Sequence, residues 1–331
     1  MTFEQPFHPF LDTDFEVYAL SLFRFQYENN HVYRTFCDGI HTPIEQIGSL
    51  HHIPFMPVSF YKTHDIKTTP FDPETIFHSS GTTGMEYSKH LIKSLSLYEK
   101  AFLSSFQHFY GDPSDYIFLA LLPNYLENKN SSLIYMMSYL IENSPHAESG
   151  FFLYNHQDLY QTLLKTKEKG RKTILFGVTF ALLDFLESYS LNYPDLIVFE
   201  TGGMKGRRKE MVKEEVHTLI KEGFGVPSVH SEYGMCELLS QAYSQGGNLF
   251  STPPWMKMIL RDEKEPIPHF SDPDTKTEPQ SGAINIIDFA NVYSCSFIAT
   301  EDLGRRNRNG LIEVTGRMDS ARLRGCNLMV I

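Results

Sequence analysis

Between residues 116 and 233, short apolar runs alternate with amphipathic stretches, and this alternation leaves the chain few folds to adopt. Tyr116–Leu122 is continuously apolar and is closed by Pro123-Asn124, which is how a strand buried on both faces reads. Thr173–Phe176, Leu196–Glu200 and Val226–His230 also read as strands, and Phe151–Tyr154 is a shorter candidate. Helical spacing fills the intervals: Ser94–Tyr110, Ser131–Ile141, Gln157–Lys169 with Gly170 to stop it, Phe180–Ser188, and the charged run Arg208–Glu222. Strand, turn and helix in alternation predict an α/β fold with a mostly parallel, doubly wound sheet. Such sheets carry ligand loops at the carboxyl ends of their strands.

The flanks read differently. Residues 1 to about 70 suggest helices and connections, with a helix over Phe15–Tyr27 and a turn plus short helix over Asp38–Leu50. Ile53–Val58 is extended, because Pro54 and Pro57 disfavour helix before them. Thr75–His78 reads as a short strand. After about residue 250, Ser281–Phe289, Val292–Thr300 and Gly310–Thr315 alternate as antiparallel strands do, and Lys264–Gln280 reads as an exposed loop. The expected division is an α/β core over 1–250 and a smaller antiparallel β subdomain over 251–331.

Composition narrows the class. With 41% hydrophobic and 21% charged residues the 331-residue chain buries a substantial core. A net charge of −11 argues against sequence-wide affinity for nucleic acid or an anionic membrane. No apolar run reaches the length that spans a bilayer, and the N-terminus lacks a signal core, so a soluble cytoplasmic protein is expected. The four cysteines, Cys37, Cys236, Cys295 and Cys326, form no C-x-x-C and suggest neither zinc nor a disulfide framework.

The loops after the expected strands carry the chemistry. Ser79-Ser80-Gly81-Thr82-Thr83-Gly84 presents hydroxyls and amides with little bulk, which suits a polyphosphate, although a Walker A pattern cannot be laid on it. Downstream stand Gly202-Gly203, Tyr233-Gly234-Met235-Cys236-Glu237, Thr300-Glu301-Asp302 with Gly304, and Gly316-Arg317-Met318-Asp319. In this order they resemble the motifs of the adenylate-forming superfamily: acyl-CoA synthetases, luciferases and peptide-synthetase adenylation domains. Within it the chain is most similar to acyl-protein synthetases of the bioluminescence type, through Glu200–Arg208 and Arg324-Gly325-Cys326-Asn327-Leu328. Phenylacetate–CoA ligases come next.

The resemblance implies ATP and Mg²⁺ as cofactors and a carboxylic acid, with a fatty acid favoured, as substrate. Ser79, Ser80, Gly81, Thr82, Thr83 and Gly84 would hold the phosphates. Glu237 would bind Mg²⁺, Tyr233 and Gly234 with Gly202 and Gly203 would enclose adenine, and Asp302 would take the ribose hydroxyls. Arg317 would reach the ribose or α-phosphate. His230 neutralises the acid, orients the adenylate, or is a hydrogen-bonded strand-end histidine. Three features depart from the superfamily pattern. Its phosphate-loop lysine is displaced to Lys89, with Tyr87 at the usual place. Cys236 replaces a Ser or Thr. The usual C-terminal lid domain is missing after Asp319, and no lysine follows Lys276. The resemblance offers Cys326 as the thiol that takes the acyl group as a thioester; Arg322 and Arg324 beside it favour the thiolate. The acceptor is then a partner protein, or coenzyme A if the chain is an aryl- or acyl-CoA ligase. A third reading is a nucleotide-binding subunit without catalysis.

Overall fold

The computed structural model describes residues 3, 6–79, 87–122, 130–202, 211–263 and 279–318. The chain runs α1 (Asp12–Asn29), α2 (His31–Gly39), β1 (Met56–Pro57), α3 (Phe60–Thr63), β2 (Thr75–His78), β3 (Lys89–Ile92), α4 (Leu95–Tyr110), β4 (Ile117–Leu121) and α5 (Ser132–Glu142). It continues through β5 (Gly150–Phe151), α6 (His156–Glu168), β6 (Thr173–Val178), α7 (Thr179–Leu186), β7 (Ile197–Thr201), α8 (Lys213–Phe224), β8 (Val229–Tyr233) and β9 (Ala242–Ser244). Last come β10 (Leu249–Phe250), β11 (Met256–Arg261), β12 (Ser281–Asp288), β13 (Phe297–Arg306) and β14 (Ile312–Arg317). Among the described residues no helix is long and apolar enough to cross a membrane.

The chain divides into two compact units, drawn differently from a split at residue 250. The first comprises Met1–Ala101, Met235–Ser240 and Phe250–Ile331; the second comprises Phe102–Gly234 and Gln241–Leu249.

The second unit holds the expected sheet, in the order β5-β4-β6-β7-β8-β9, parallel except for β9. Register places Phe118, Phe176, Phe199 and His230 on one face, against Phe106 and Tyr110 of α4. The opposite face carries Leu175, Gly177, Val198 and Glu200 under α7 and α8. Helices thus cover both faces, and the central strands β4 and β6 are almost wholly apolar for that reason. Gly177 lies inside β6, which runs two residues past the expected strand end at Phe176. A Cβ there would stand 2.7 Å from Leu182 Cγ and Cδ2, so its lack of a side chain lets α7 seat on the sheet. Gly177→Ala should cost about 1–3 kcal/mol by overpacking, read as a lowered urea midpoint with an unchanged slope.

The first unit is built on an antiparallel sheet, β10-β14-β13-β12-β11, with β1 parallel beside β13. The sequence leaves β11 unmarked and places β13 too early. Val292–Ser296 is a buried turn rather than strand, because side chains from far upstream satisfy its backbone. Gln26 Nε2 donates to the carbonyls of Asn291 (3.0 Å) and Val292 (3.1 Å), and Gln26 Oε1 accepts from the Ser296 N–H (2.9 Å). Asn30 Nδ2 and Thr68 Oγ1 both donate to the Ser294 carbonyl, at 2.9 and 2.6 Å. The ring of Phe15 stacks on Phe289 at 4.3 Å and fastens α1 to the same corner. Helix α2 is unmarked in the sequence; Asn30 caps it by accepting from the Tyr33 N–H at 3.0 Å.

Candidate active site

In the first unit, β2 and β3 pair antiparallel from Thr75↔Ile92 to His78↔Lys89 and form the stem of the serine/threonine/glycine loop. Ser79 closes that stem: its N–H donates to the Ser88 carbonyl (3.2 Å), and its hydroxyl accepts from the Ser88 N–H (3.0 Å). Ser80, Gly81, Thr82, Thr83 and Gly84 lie outside the described residues. Beyond the stem, Ser88 and His90 are buried and Lys89 between them is exposed. A strand's period of two therefore turns Ser88 and His90 inward together and Lys89 outward.

Glu237 is buried. Its burial pushes the carboxyl above its ordinary range; a hydrogen bond from Ser88, one from the main chain, and the charges of Arg317 and Lys62 hold it back in part. The turn that carries it is fastened at several points. His90 Nδ1 lies 2.8 Å from the Cys236 carbonyl, and Asn291 Nδ2 donates to the Glu237 carbonyl at 2.7 Å. Asp288 accepts from the N–H groups of Leu239 and Ser240, both at 3.0 Å, from the Ser240 hydroxyl at 2.7 Å, and from the Ala290 N–H at 3.1 Å. Burial holds His90 down at about 4 and pushes the Cys236 thiol well above its usual range, so neither is charged near neutral pH.

Glu301-Asp302-Leu303-Gly304, expected in a loop, lies inside β13, because the strand runs on to Arg306. Asp302 is buried and pairs in register with Arg317 of β14, whose Nε donates to Asp302 Oδ1 at 3.0 Å. The Thr300 hydroxyl donates to the Ile284 carbonyl (2.7 Å) and accepts from the Asp302 N–H (3.1 Å), so it shapes the strand. Arg261 donates to the carbonyls of Ile284 and Thr300 and to Asn285 Oδ1, and its burial brings it down to about 10.

In the second unit, Tyr233 closes β8, which starts three residues later than expected, and Gly234 follows exposed. Gly202 ends β7 with φ +74°, a left-handed turn that favours glycine. Gly203 lies outside the described residues. The Thr179 hydroxyl bonds the buried Glu200 carboxylate and lies 3.3 Å from the Gly202 carbonyl. Lys213 Nζ and His217 Nε2 each stand 3.6 Å from Glu200 Oε2. Burial pushes Glu200 up, but His217, Lys213 and Thr179 outweigh it and the net direction is down. His230 Nδ1 takes a hydrogen bond with the Tyr110 hydroxyl at 3.0 Å, and burial holds the imidazole down at about 4. It is thus neutral near pH 7, and lends a hydrogen bond rather than a charge.

Glu232 shares the face of His230 and packs against the Cα of Gly234. Burial pushes its carboxyl up to about 7, against a hydrogen bond from Thr201 that lowers it. The folded state therefore holds the proton more tightly than the unfolded chain. Stability is full below about pH 4.5 and is lost as pH rises to about 7. Glu232→Gln should melt with wild type at pH 4 and above it at pH 8, by about 2 kcal/mol once partial exposure is allowed for.

His90, Asp288, Asn291 and Thr179 carry no motif. Their one sequence signal is a polar residue inside or closing an apolar run, as His90 is in Lys89-His90-Leu91-Ile92.

The parallel sheet, the antiparallel sheet and the order of these loops define the fold of the adenylate-forming enzymes. Among solved structures, ATP-bound MatB from Rhodopseudomonas palustris is 17% identical (TM-score 0.53, covering 76% of this chain and 49% of that one). O-succinylbenzoate Coenzyme A Synthetase (MenE) from Bacillus subtilis, in complex with ATP and magnesium ion, is 17% identical (TM-score 0.50, covering 75% and 51%). The chain spans about half the length of these structures. A search of curated protein sequences finds no match. The family model "Acyl-protein synthetase, LuxE" matches residues 12–331, and the chain belongs to that family.

Proposed function

We propose that the protein activates a carboxylic acid, with a fatty acid favoured, as its acyl-adenylate and passes the acyl group to a protein thiol. An oxygen of the acid attacks the α-phosphorus of ATP, and the bond to pyrophosphate breaks with its electron pair. A thiolate then attacks the acyl carbonyl carbon and AMP leaves. Both partners of the first step are anions, so the site must align them and offset their charge.

What supports this reading is the geometry of the first unit. The strand that leaves the phosphate-type loop packs Ser88 against the buried carboxylate of Glu237. That carboxylate is a hard oxygen donor whose charge is costly where it sits, and a divalent cation would offset the cost; Mg²⁺ fits it. Mg²⁺ when bound supplies charge neutralisation at the phosphates. Ser79, Ser80, Gly81, Thr82, Thr83 and Gly84 hold the β- and γ-phosphates. Gly202, Gly203, Tyr233 and Gly234 take adenine, Asp302 the ribose, and Arg317 the ribose or α-phosphate. His230 donates through its neutral imidazole. Lys89, exposed on the far side of its strand, has no part. Cys326 is the first acyl acceptor.

The test is intact mass after incubation with Mg-ATP and a panel of acids that includes myristate and phenylacetate. An ATP-dependent gain of one acyl group is expected, removed by hydroxylamine and absent in Cys326→Ser, which still releases pyrophosphate. Pyrophosphate release without mass gain would move the acceptor to an outside thiol such as coenzyme A. Neither signal would leave nucleotide binding without chemistry.

A further inference from the structure

His90 is an imidazole buried in the first unit, with hydrogen bonds on both nitrogens. Nδ1 lies 2.8 Å from the Cys236 carbonyl and Nε2 2.9 Å from Ser294 Oγ. A carbonyl can only accept, so Nδ1 carries the proton. Nε2 of the neutral ring then accepts from the Ser294 hydroxyl, and that oxygen in turn accepts from the Tyr61 hydroxyl at 3.3 Å. The chain Tyr61 to Ser294 to His90 to Cys236 has a single direction, and every member is satisfied. Ring and tautomer are held from behind, and the edge of Tyr61 lies on the imidazole at a centroid distance of 5.6 Å. A histidine fixed this way, ending on the carbonyl next to Glu237, acts on that turn. Two residues earlier on the same face, Ser88 donates to the Glu237 carboxylate itself.

We infer that Ser88 and His90 are positioning residues for Glu237. Ser88 sets the direction of its carboxylate, His90 sets the height of its backbone, and both are carried by the strand that leaves the phosphate loop. The inference rests on the reading of Glu237 as the magnesium ligand. It adds that one strand, β3, braces both the carboxylate and the backbone of that turn, through residues two apart. Asn291, on the Glu237 carbonyl at 2.7 Å, braces the turn from its other side.

The experiment uses the full-length protein with a non-hydrolysable ATP analogue. Mn²⁺ affinity is titrated by electron paramagnetic resonance, beside the half-saturating Mg²⁺ for pyrophosphate release and the KM for the acid. His90→Leu and Ser88→Ala should each weaken Mn²⁺ binding and raise the Mg²⁺ requirement about tenfold, the usual scale for residues that orient a metal ligand. The acid KM should stay at the wild-type value. His90→Asn, whose amide can still donate to the Cys236 carbonyl, should restore most of the affinity. Wild-type Mn²⁺ affinity in folded His90→Leu and Ser88→Ala overturns the inference, as does His90→Asn binding no better than His90→Leu. If His90→Leu does not fold, Ser88→Ala and His90→Asn decide by the same criteria. If the wild-type complex takes no Mn²⁺, the reading of Glu237 falls, and amide exchange over residues 235–240 tests the positioning alone. Faster exchange in His90→Leu and wild-type exchange in His90→Asn supports it; equal exchange in all three proteins overturns it.

Discussion

Glu237→Gln is expected to slow ATP-dependent pyrophosphate release by about 10²–10³-fold, or about 3–4 kcal/mol of transition-state stabilisation. The substitution keeps the size and the Ser88 partner and removes the charge that would hold Mg²⁺ against the phosphates. Its effect on stability runs the other way. Burial pushes the Glu237 carboxyl above its ordinary range, so ionising it costs the folded state, and the cost grows as pH rises above the unfolded value. A neutral amide avoids that cost, so the variant should melt no lower than wild type at pH 8. Lost turnover with retained stability is the signature of a group kept for chemistry. A variant that turns over at the wild-type rate would remove Glu237 from the mechanism. One that loses rate only as it loses structure would make its role a matter of packing.

Asp288→Ala should destabilise the first unit by about 4–6 kcal/mol, a large share of the 5–15 kcal/mol typical of folded proteins. The carboxylate accepts four hydrogen bonds, from the N–H groups of Leu239, Ser240 and Ala290 and from the Ser240 hydroxyl. Truncation leaves all four donors buried without a partner. Trp255 depends on the same knot, since its Nε1–H donates to Ser240 Oγ at 2.9 Å. The turn from Met235 to Ser240 would lose its floor, and fluorescence of the single tryptophan should report the change. Denaturant melts followed at Trp255 and by far-ultraviolet dichroism check this. Coincident transitions near the wild-type midpoint would show that Asp288 holds nothing up.

Much of the second unit is legible in the sequence. Ile117–Leu121 and Ile197–Thr201 lie where the apolar runs place them, because a strand covered on both faces is mostly apolar, and the one buried carboxylate, Glu200, is held by Thr179, Lys213 and His217. Helix α4 follows its spacing to Tyr110. Strand ends are less legible. Val226 and Pro227 look like the start of a strand, yet β8 begins at Val229 and runs on through the motif to Tyr233, where pairing with β9 draws the strand out. Strand β6 likewise runs past Phe176 through Gly177, where what demands glycine is the side chain of Leu182 on the next helix. In the candidate site the motif residues are legible because the phosphate, metal and ribose proposed for them would each demand a residue type. His90 and Asn291 are not, because their task is to hold other residues, and many polar residues can do that.

Local order, then, was in the sequence by itself: which segments are strand or helix, where the glycine-rich loops fall, and which chemistry they suit. These follow from steric preference and hydrophobic period over a few residues. The tertiary structure alone decided how the chain is shared between two units and how buried polar groups are satisfied. Gln26 reaches a carbonyl 265 residues away, and His90 a hydroxyl 204 residues away. A buried donor or acceptor is costly alone and nearly neutral when paired. Whether a polar residue in an apolar run is an error or a brace therefore depends on what the far end of the chain brings to it.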